Sequence, residues 1–404
     1  MKTITSVIPD ISRRARLQPA SPIRKLVPLA DAAKKRGITV YHLNIGQPDL
    51  PPPPDFVKAV KNWNKPVLEY GNSKGDFRLI GKVIRYYKQE LDVDLAEENV
   101  QITTGGSEAL LFAMMAVASP GDEIVVFEPF YTNYNGFAVM AGLTLKPVVT
   151  YGDNGYHLPS AEEIEKHINA RTRGILVCSP NNPTGTVYSK KEMEMVAELC
   201  RKHSLFLLSD EPYREFIYEA EFFSALHLKE MDEQVIVLDS ASKRFSLCGA
   251  RVGFLISKNV EVVDAALRMG QARLSSPTIE QEAVTAAFDV PPDYFTKMAA
   301  EYKKRRDLLY ARLSQMPGVS CEKPEGAFYL MARLPVEDSE DFCRWLLTDF
   351  SVQGETVMMA PGAGFYATPG KGRDEVRIAY VLSTEKLDRA MHILASGLEK
   401  FAKK

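Results

Sequence analysis

From about residue 100 onward, short apolar runs alternate with stretches that carry apolar residues at helical spacing. The runs are NVQIT (99–103), EIVVFE (123–128), LKPVV (145–149), GILVC (174–178), LFLLSD (205–210), VIVLDS (235–240) and GFLIS (253–257). Between several of them lie segments such as SKKEMEMVAELCRKH (189–203), whose apolar positions recur every three to four residues. Near-continuous apolar strands alternating with helices predict a mainly parallel sheet of seven strands covered by helices on both faces, an α/β fold. After Pro277 the texture changes. Two long helical patterns, 291–316 and 384–400, frame the strand-like GAFYLMARL and EVRIAYVL. These read as a smaller α+β domain. The residues before about 48 are too few to fold alone and are expected to pack on that C-terminal part. The expected organisation is a large domain over 49–285 and a small domain built from 1–48 plus 286–404.

Composition narrows the class without changing this picture. At 404 residues, with 45% apolar and 25% charged positions and a formal net charge of −2, the chain has ordinary globular usage and no charge surplus for nucleic acid. Five scattered cysteines with no Cys-x-x-Cys pair, and six dispersed histidines, argue against a disulfide scaffold or a metal site. The longest apolar run, 109–118, is about half the ~20 residues a membrane helix needs. MKTITSVIPD at the start lacks the apolar block of a secretory signal. A soluble cytoplasmic protein is expected, with no membrane or nucleic-acid partner, and Arg13, Arg14 and Arg16 read as part of a solvated arm.

In open α/β sheets, ligands bind beyond the carboxyl ends of the strands. Here QIT runs into TGGSEAL, GILVC into SPNNPTG, LFLLS into DEPY, and VIVL into DSASK. TGGSEALL (104–111) has the glycines and the helix start that suit a phosphate, but lacks the Gly-Lys-Ser/Thr end of a nucleotide loop. GAGFYA (362–367) fits a dinucleotide fingerprint with Ala last, yet prolines flank it, so it is expected to be a turn. Lys243, after a buried strand, would by itself be a surface charge. Ser240, Ser242 and Arg251 around it suit a phosphate dianion. An amine beside such a site is placed to form a Schiff base with an aldehyde cofactor that carries the phosphate. Asp210 then has a task, keeping a pyridine nitrogen protonated, while Tyr213 and Asn182 can bond a ring phenolate.

The stretch SASKRFSLCGARVG (240–253) resembles the lysine-attachment signature of class I/II (fold type I) pyridoxal-phosphate-dependent aminotransferases, in particular the bacterial aspartate-aminotransferase branch. NNPTG and DEPY follow the same family's order, and the likeness runs from NIGQPD (44–49) through EYGNSKG (69–75) to VRIAY (376–380). The resemblance implies pyridoxal 5'-phosphate as cofactor, with no metal. It implies Lys243 as Schiff-base lysine and proton shuttle, Asp210 on the pyridine nitrogen, and Asn182 and Tyr213 on the ring oxygen. The amides of Gly106 and Ser107, with Ser240, Ser242 and Arg251, would hold the phosphate, and Tyr131 would stack on the ring. Arg377 would clamp the substrate α-carboxylate, helped by Asn182 and the Gly46 backbone. Tyr70 would reach the phosphate of a neighbouring subunit, which implies a homodimer with shared sites.

The implied reaction moves an amino group from an L-amino acid, aspartate first among the candidates, to a 2-oxo acid such as 2-oxoglutarate. A β-eliminating carbon–sulfur lyase on the same scaffold would share every residue named. A cofactor-binding regulator would need a longer N-terminal segment, and a nicotinamide dehydrogenase would need a glycine fingerprint between a strand and a helix. The cation for a distal carboxylate stays open among Arg24, Arg16 and Arg273, while Phe328 and Tyr329 would favour an apolar side chain.

Overall fold

The structure is a computed structural model and describes residues 9–403, so most of the N-terminal stretch read for a leader lies outside the described residues. A helix, Val27–Lys35, leads into strand β1 (Thr39–His42). The large domain then supplies β2 (Val100–Thr103), β3 (Glu123–Glu128), β4 (Thr144–Val149), β5 (Thr172–Cys178), β6 (Phe206–Asp210), β7 (Val235–Ser240) and β8 (Gly253–Ile256). They form one seven-stranded sheet in the order β2-β8-β7-β6-β5-β3-β4. Only β8 runs against its neighbours, pairing antiparallel with both β2 and β7.

The pattern of side chains explains why these runs became strands covered on both faces. Val125, Ile175, Leu207 and Val237 point to one apolar cluster, while Ile124, Leu176, Leu208 and Ile236 point to the other. This is the period-two alternation of a strand with apolar residues on each side. The helix Lys190–His203 is held at its start by a capping box: Ser189 Oγ accepts from Glu192 N at 3.3 Å, and Glu192 Oε2 accepts from Ser189 N at 2.8 Å.

The smaller domain carries β9 (Ser320–Cys321), β10 (Tyr329–Arg333), β11 (Glu355–Met358), β12 (Ala360–Pro361) and β13 (Glu375–Ala379). Four of these form an antiparallel sheet in the order β12-β13-β10-β9, and β11 pairs in parallel with β1. A third apolar cluster, including Leu309, Phe328, Leu330, Ile378 and Leu394, fills its core. The helix expected over 291–316 is shorter, Tyr294–Leu313, because Pro291 and Pro292 stay outside it. GAGFYA forms a single 3-10 turn at Gly362–Phe365 and opens no α-helix. The N-terminal residues divide. Val27–Lys35 and β1 pack on the small domain, whereas the arm with helix Arg13–Leu17 crosses to helix Asn133–Ala141 of the large one. No helix among the described residues is long and apolar enough to cross a membrane.

Candidate active site

The carboxyl ends of β2, β5, β6 and β7 lie on one edge of the sheet and open into a cavity of about 610 Å³. Its lining includes Gly46, Gly106, Ser107, Tyr131, Asn182, Asp210, Tyr213, Ser240, Ser242, Lys243, Arg251 and Arg377, so the structure brings together every residue assigned to the cofactor or to the α-carboxylate except Tyr70. Tyr70 is 82% exposed and lines no part of this cavity.

One end of the cavity is a cradle. Gly105 turns with φ +77° and the helix Gly106–Val117 begins directly after β2, leaving its first amides without helical acceptors. β8 approaches closely here: a Cβ on Gly253 would fall 2.3 Å from the Gly105 carbonyl carbon and 2.5 Å from the Gly106 nitrogen. Ser240 Oγ accepts from Ser242 N at 3.1 Å and lies 2.8 Å from Ser242 Oγ. Arg251 takes a left-handed φ of +53° and donates to Cys248 O at 2.9 Å, bringing its guanidinium beside Gly105. A non-glycine residue held in that conformation stores strain of the kind common at ligand sites.

The middle of the cavity holds Lys243 and Asp210. Lys243 Nζ donates to Gly46 O at 3.0 Å and lies 3.6 Å from Cys248 Sγ. Desolvation works against its ammonium, but Tyr329, Cys248 and Tyr131 outweigh it and the net shift is upward. Gly46 must be glycine: a Cβ there would lie 1.8 Å from Tyr329 Oη. Asp210 accepts from Tyr134 Oη at 2.6 Å and has no cationic partner among the described residues. Desolvation pushes its carboxyl up to about 7, against the pull of the Tyr134 hydrogen bond and with help from the charges of Asp239 and Glu211. Burial, then Tyr329, raises the Tyr213 phenol well above its ordinary value.

The far end is built around Arg377, which is 1% exposed. It donates to Asn182 Oδ1 at 2.9 Å and to Asn44 O at 2.6 Å, and rests 4.5 Å from the centre of the Tyr329 ring. Its Nε has no partner, and no carboxylate pairs with it among the described residues. Desolvation lowers its pKa, yet an arginine stays charged at any working pH. Asn182 joins this end to the middle, its Nδ2 donating to Tyr213 Oη at 3.3 Å.

A buried ionic cluster lies behind these groups. Asp239 accepts from Arg244 Nη2 at 2.6 Å, from Tyr87 Oη at 3.0 Å, from its own neighbour Ser240 N at 2.6 Å, and from Arg214. Arg244 also meets Glu215 at 3.0 Å.

A lone buried cation, a carboxylate without a cation, and a lysine in one cavity over an α/β sheet match a known pattern. The sequence profile described as "Aminotransferase class I and II" matches residues 38–394. The chain belongs to the class I and II aminotransferases. An aspartate aminotransferase of Thermotoga maritima is 33% identical, over 94% of this chain and 97% of that protein. An aromatic-amino-acid aminotransferase of Thermococcus litoralis is 30% identical, over 96% of this chain and 98% of its own. Among solved structures, the alanine aminotransferase from Pyrococcus furiosus superposes with a TM-score of 0.88 at 30% identity, covering 97% of this chain and 100% of that one.

This aminotransferase is thus a transaminase of fold type I, and its family uses pyridoxal 5'-phosphate. The relatives are transaminases, which does not favour the lyase alternative. The cavity fits the cofactor: Gly106, Ser107, Ser240, Ser242 and Arg251 line one end of it with amides, hydroxyls and a cation suited to a phosphate, and Asp210 lacks the cation that a protonated ring nitrogen supplies.

Three residues went unnoticed in the sequence: Cys248, which lines the cavity, and Tyr134 and Asn44, which hold Asp210 and Arg377 from behind it. Tyr134 lies three residues after Tyr131 in EPFYTNY; a turn before the helix Asn133–Ala141, closed by Tyr134 N donating to Tyr131 O at 2.9 Å, brings the two rings edge to face with centres 5.6 Å apart. Asn44 stands two residues before Gly46 in NIGQPD, and Cys248 lies within the lysine signature. Three expectations need correction. Phe328 is fully buried in the small-domain core, because strand alternation sends only its neighbour Tyr329 to the cavity. Arg273 is spent on Glu108 at 3.1 Å and Arg16 on Asp10, and neither lines the cavity.

Proposed function

We propose that this aminotransferase moves the amino group of a small L-amino acid, aspartate first, to a 2-oxo acid such as 2-oxoglutarate. The observation that carries this reading is Arg377: a fully buried guanidinium with a free Nε and no acid paired with it among the described residues. Leaving a buried cation unpaired is costly, so the site is built for an anion that arrives with the substrate. Pyridoxal 5'-phosphate, when bound, supplies an aldehyde carbon to carry the amino group and an electron-poor ring to accept the Cα electron pair.

The chain's own residues do the rest. Arg377 takes the α-carboxylate as a fork, steadied by Asn182 and the backbone at Gly46, which fixes the direction of the Cα–H bond. Lys243 Nζ, anchored near Gly46, removes that proton and returns one to the adjoining carbon. Asp210 would hold a proton on the ring nitrogen: desolvation disfavours its lone carboxylate, and a protonated ring would supply the charge partner that ionises it. Tyr213 and Asn182 hold the ring oxygen, and Tyr131 covers the ring face. The amides of Gly106 and Ser107, with Ser240, Ser242 and Arg251, bind the phosphate at the helix start.

Tyr70, with the exposed Val67, Leu68 and Phe77 near it, marks the face on which a second copy docks, placing Tyr70 at the partner's phosphate. Residues 49–285 are taken as the cofactor domain and 1–48 plus 286–404 as the small domain, with the helix Arg13–Leu17 resting on the large one. Five free thiols accord with a reducing, cytoplasmic setting. The test is formation of glutamate from 2-oxoglutarate and L-aspartate by the purified protein. Lys243→Ala is expected to abolish turnover while the protein still folds and retains cofactor; steady turnover by that variant without added amine would sink the assignment.

A further inference from the structure

We propose that Arg24 is the specificity-determining residue that receives the distal carboxylate of a dicarboxylic substrate, an inference that rests on the transaminase reading above. The charged groups lining the cavity are Arg24, Lys243, Arg251, Arg377 and Asp210. Three of the four cations have tasks in that reading: amine chemistry, the phosphate and the α-carboxylate. Arg24 has none, and its side chain makes no hydrogen bond or ion pair among the described residues.

An exposed arginine is commonly just solvated. Two observations set this one apart. First, the adjacent cation is satisfied, since Lys25 pairs with Glu340, whereas Arg24 lines the cavity with its head unpartnered among the described residues. Second, its backbone is fixed in register with Arg377. Asn44 Nδ2 donates to Ile23 O at 3.1 Å, and the carbonyl of the same Asn44 accepts from Arg377 at 2.6 Å. Arg24 N closes a turn onto Ser21 O at 3.1 Å, Pro22 packs against Gly364, and Leu26 is buried in the small-domain core. One asparagine thus sets the spacing between the α-carboxylate fork and a second cation whose head remains free.

The remaining lining sharpens the chemical class. Ile23, Ile45 and Phe137 offer apolar contact for a short methylene spacer. Among the described residues Asp210, already committed to the ring, is the one acid in the lining, so a basic side chain would find no partner and would face Arg24. The substrate chemistry that completes the site is a four- or five-carbon dicarboxylic amino acid paired with a dicarboxylic 2-oxo acid.

The test uses the holoenzyme, comparing the unmodified chain with Arg24→Ala and Arg24→Lys. Kinetics are read with aspartate and with alanine as donors, and binding of unreactive succinate and butyrate is read by calorimetry. Arg24→Ala is expected to lower kcat/KM for aspartate on the order of tenfold, a charge-assisted bond discounted for its wet position. Alanine should change by less than about twofold on the same reasoning. Succinate binding should weaken in parallel with butyrate unmoved, and Arg24→Lys should recover part of both. Equal losses on aspartate and alanine, or unchanged succinate binding, overturn the assignment of Arg24. A native enzyme indifferent to dicarboxylates overturns it as well and leaves transamination standing. Failure to transfer from any donor overturns the functional reading itself, and succinate binding then still reports on Arg24.

Discussion

Asp210 offers a prediction that needs no turnover. In the cofactor-free protein its carboxyl keeps a proton up to about 7, whereas an ordinary aspartate releases it near 3.8. The folded chain therefore binds one more proton than the unfolded chain across that window, so stability falls as pH rises from about 4 to 7 and is flat above it. At 1.36 kcal/mol per pH unit the loss is roughly 4 kcal/mol, an upper figure because cavity water reaches the carboxyl. Asp210→Asn cannot titrate and should lack this loss, while every other titrating group cancels in the comparison. With an unfolding entropy of about 2.1 cal/mol/K per residue, a chain of 404 residues converts roughly 4 kcal/mol into a Tm gap of about 5 °C. The assay is thermal unfolding of cofactor-stripped protein, native and Asp210→Asn, from pH 4 to 8 at one protein concentration. The variant should gain on the native chain steadily up to pH 7 and no further. Parallel curves would refute the claim that desolvation holds Asp210 neutral. Saturating pyridoxal phosphate should reverse the gap, since a protonated ring nitrogen supplies the missing cation to Asp210 and pairs with no charge in the asparagine variant.

Three further outcomes are expected. Tyr134→Phe removes a hydrogen bond that pulls the Asp210 pKa down, so the window of declining stability should extend to higher pH in the same melts. Gly253→Ala places a methyl 2.3 Å from the Gly105 carbonyl carbon, so cofactor affinity, followed by absorbance titration, should fall at least tenfold, with the β2–β8 pairing strained. Arg377→Lys keeps the charge but loses the fork to the α-carboxylate; kcat/KM should drop by about 10²-fold for aspartate and alanine alike, as measured in half-reactions.

The sheet was legible because burial on both faces leaves unbroken apolar runs, as in VIVLDS, and because glycines and polar residues mark where each run stops. The cavity was legible for a related reason: Asp210 and Ser240 end their strands and Asn182 and Lys243 follow within four residues of one, so local order fixes their place. Residues whose role comes from the tertiary fold were harder to see. Asn44 matters through two hydrogen bonds to positions 21 and 333 residues away, which no local pattern encodes. Arg273 and Arg16 looked as available as Arg24, and only packing shows that they are already paired. Tyr329 and Phe328 differ by one residue, and the phase of β10 decided which of them faces the cavity.

The ionic cluster at Asp239 bears on how this enzyme can change over evolutionary time. Asp239 ties Arg244, the residue after Lys243, to Arg214, the residue after Tyr213. Losing either arginine leaves buried carboxylates short of charge, and losing Asp239 leaves two buried arginines short of an acid, with Glu215 between them and Glu211 beside Arg214. Mutational steps through this cluster are therefore sign-dependent on one another: single changes are penalised, while a concerted apolar replacement of the cluster need not be. Lineages that alter the lysine loop should be found to alter the DEPYR loop with it, and recombination that swaps one loop without the other should yield enzymes that fold poorly although both parents are active.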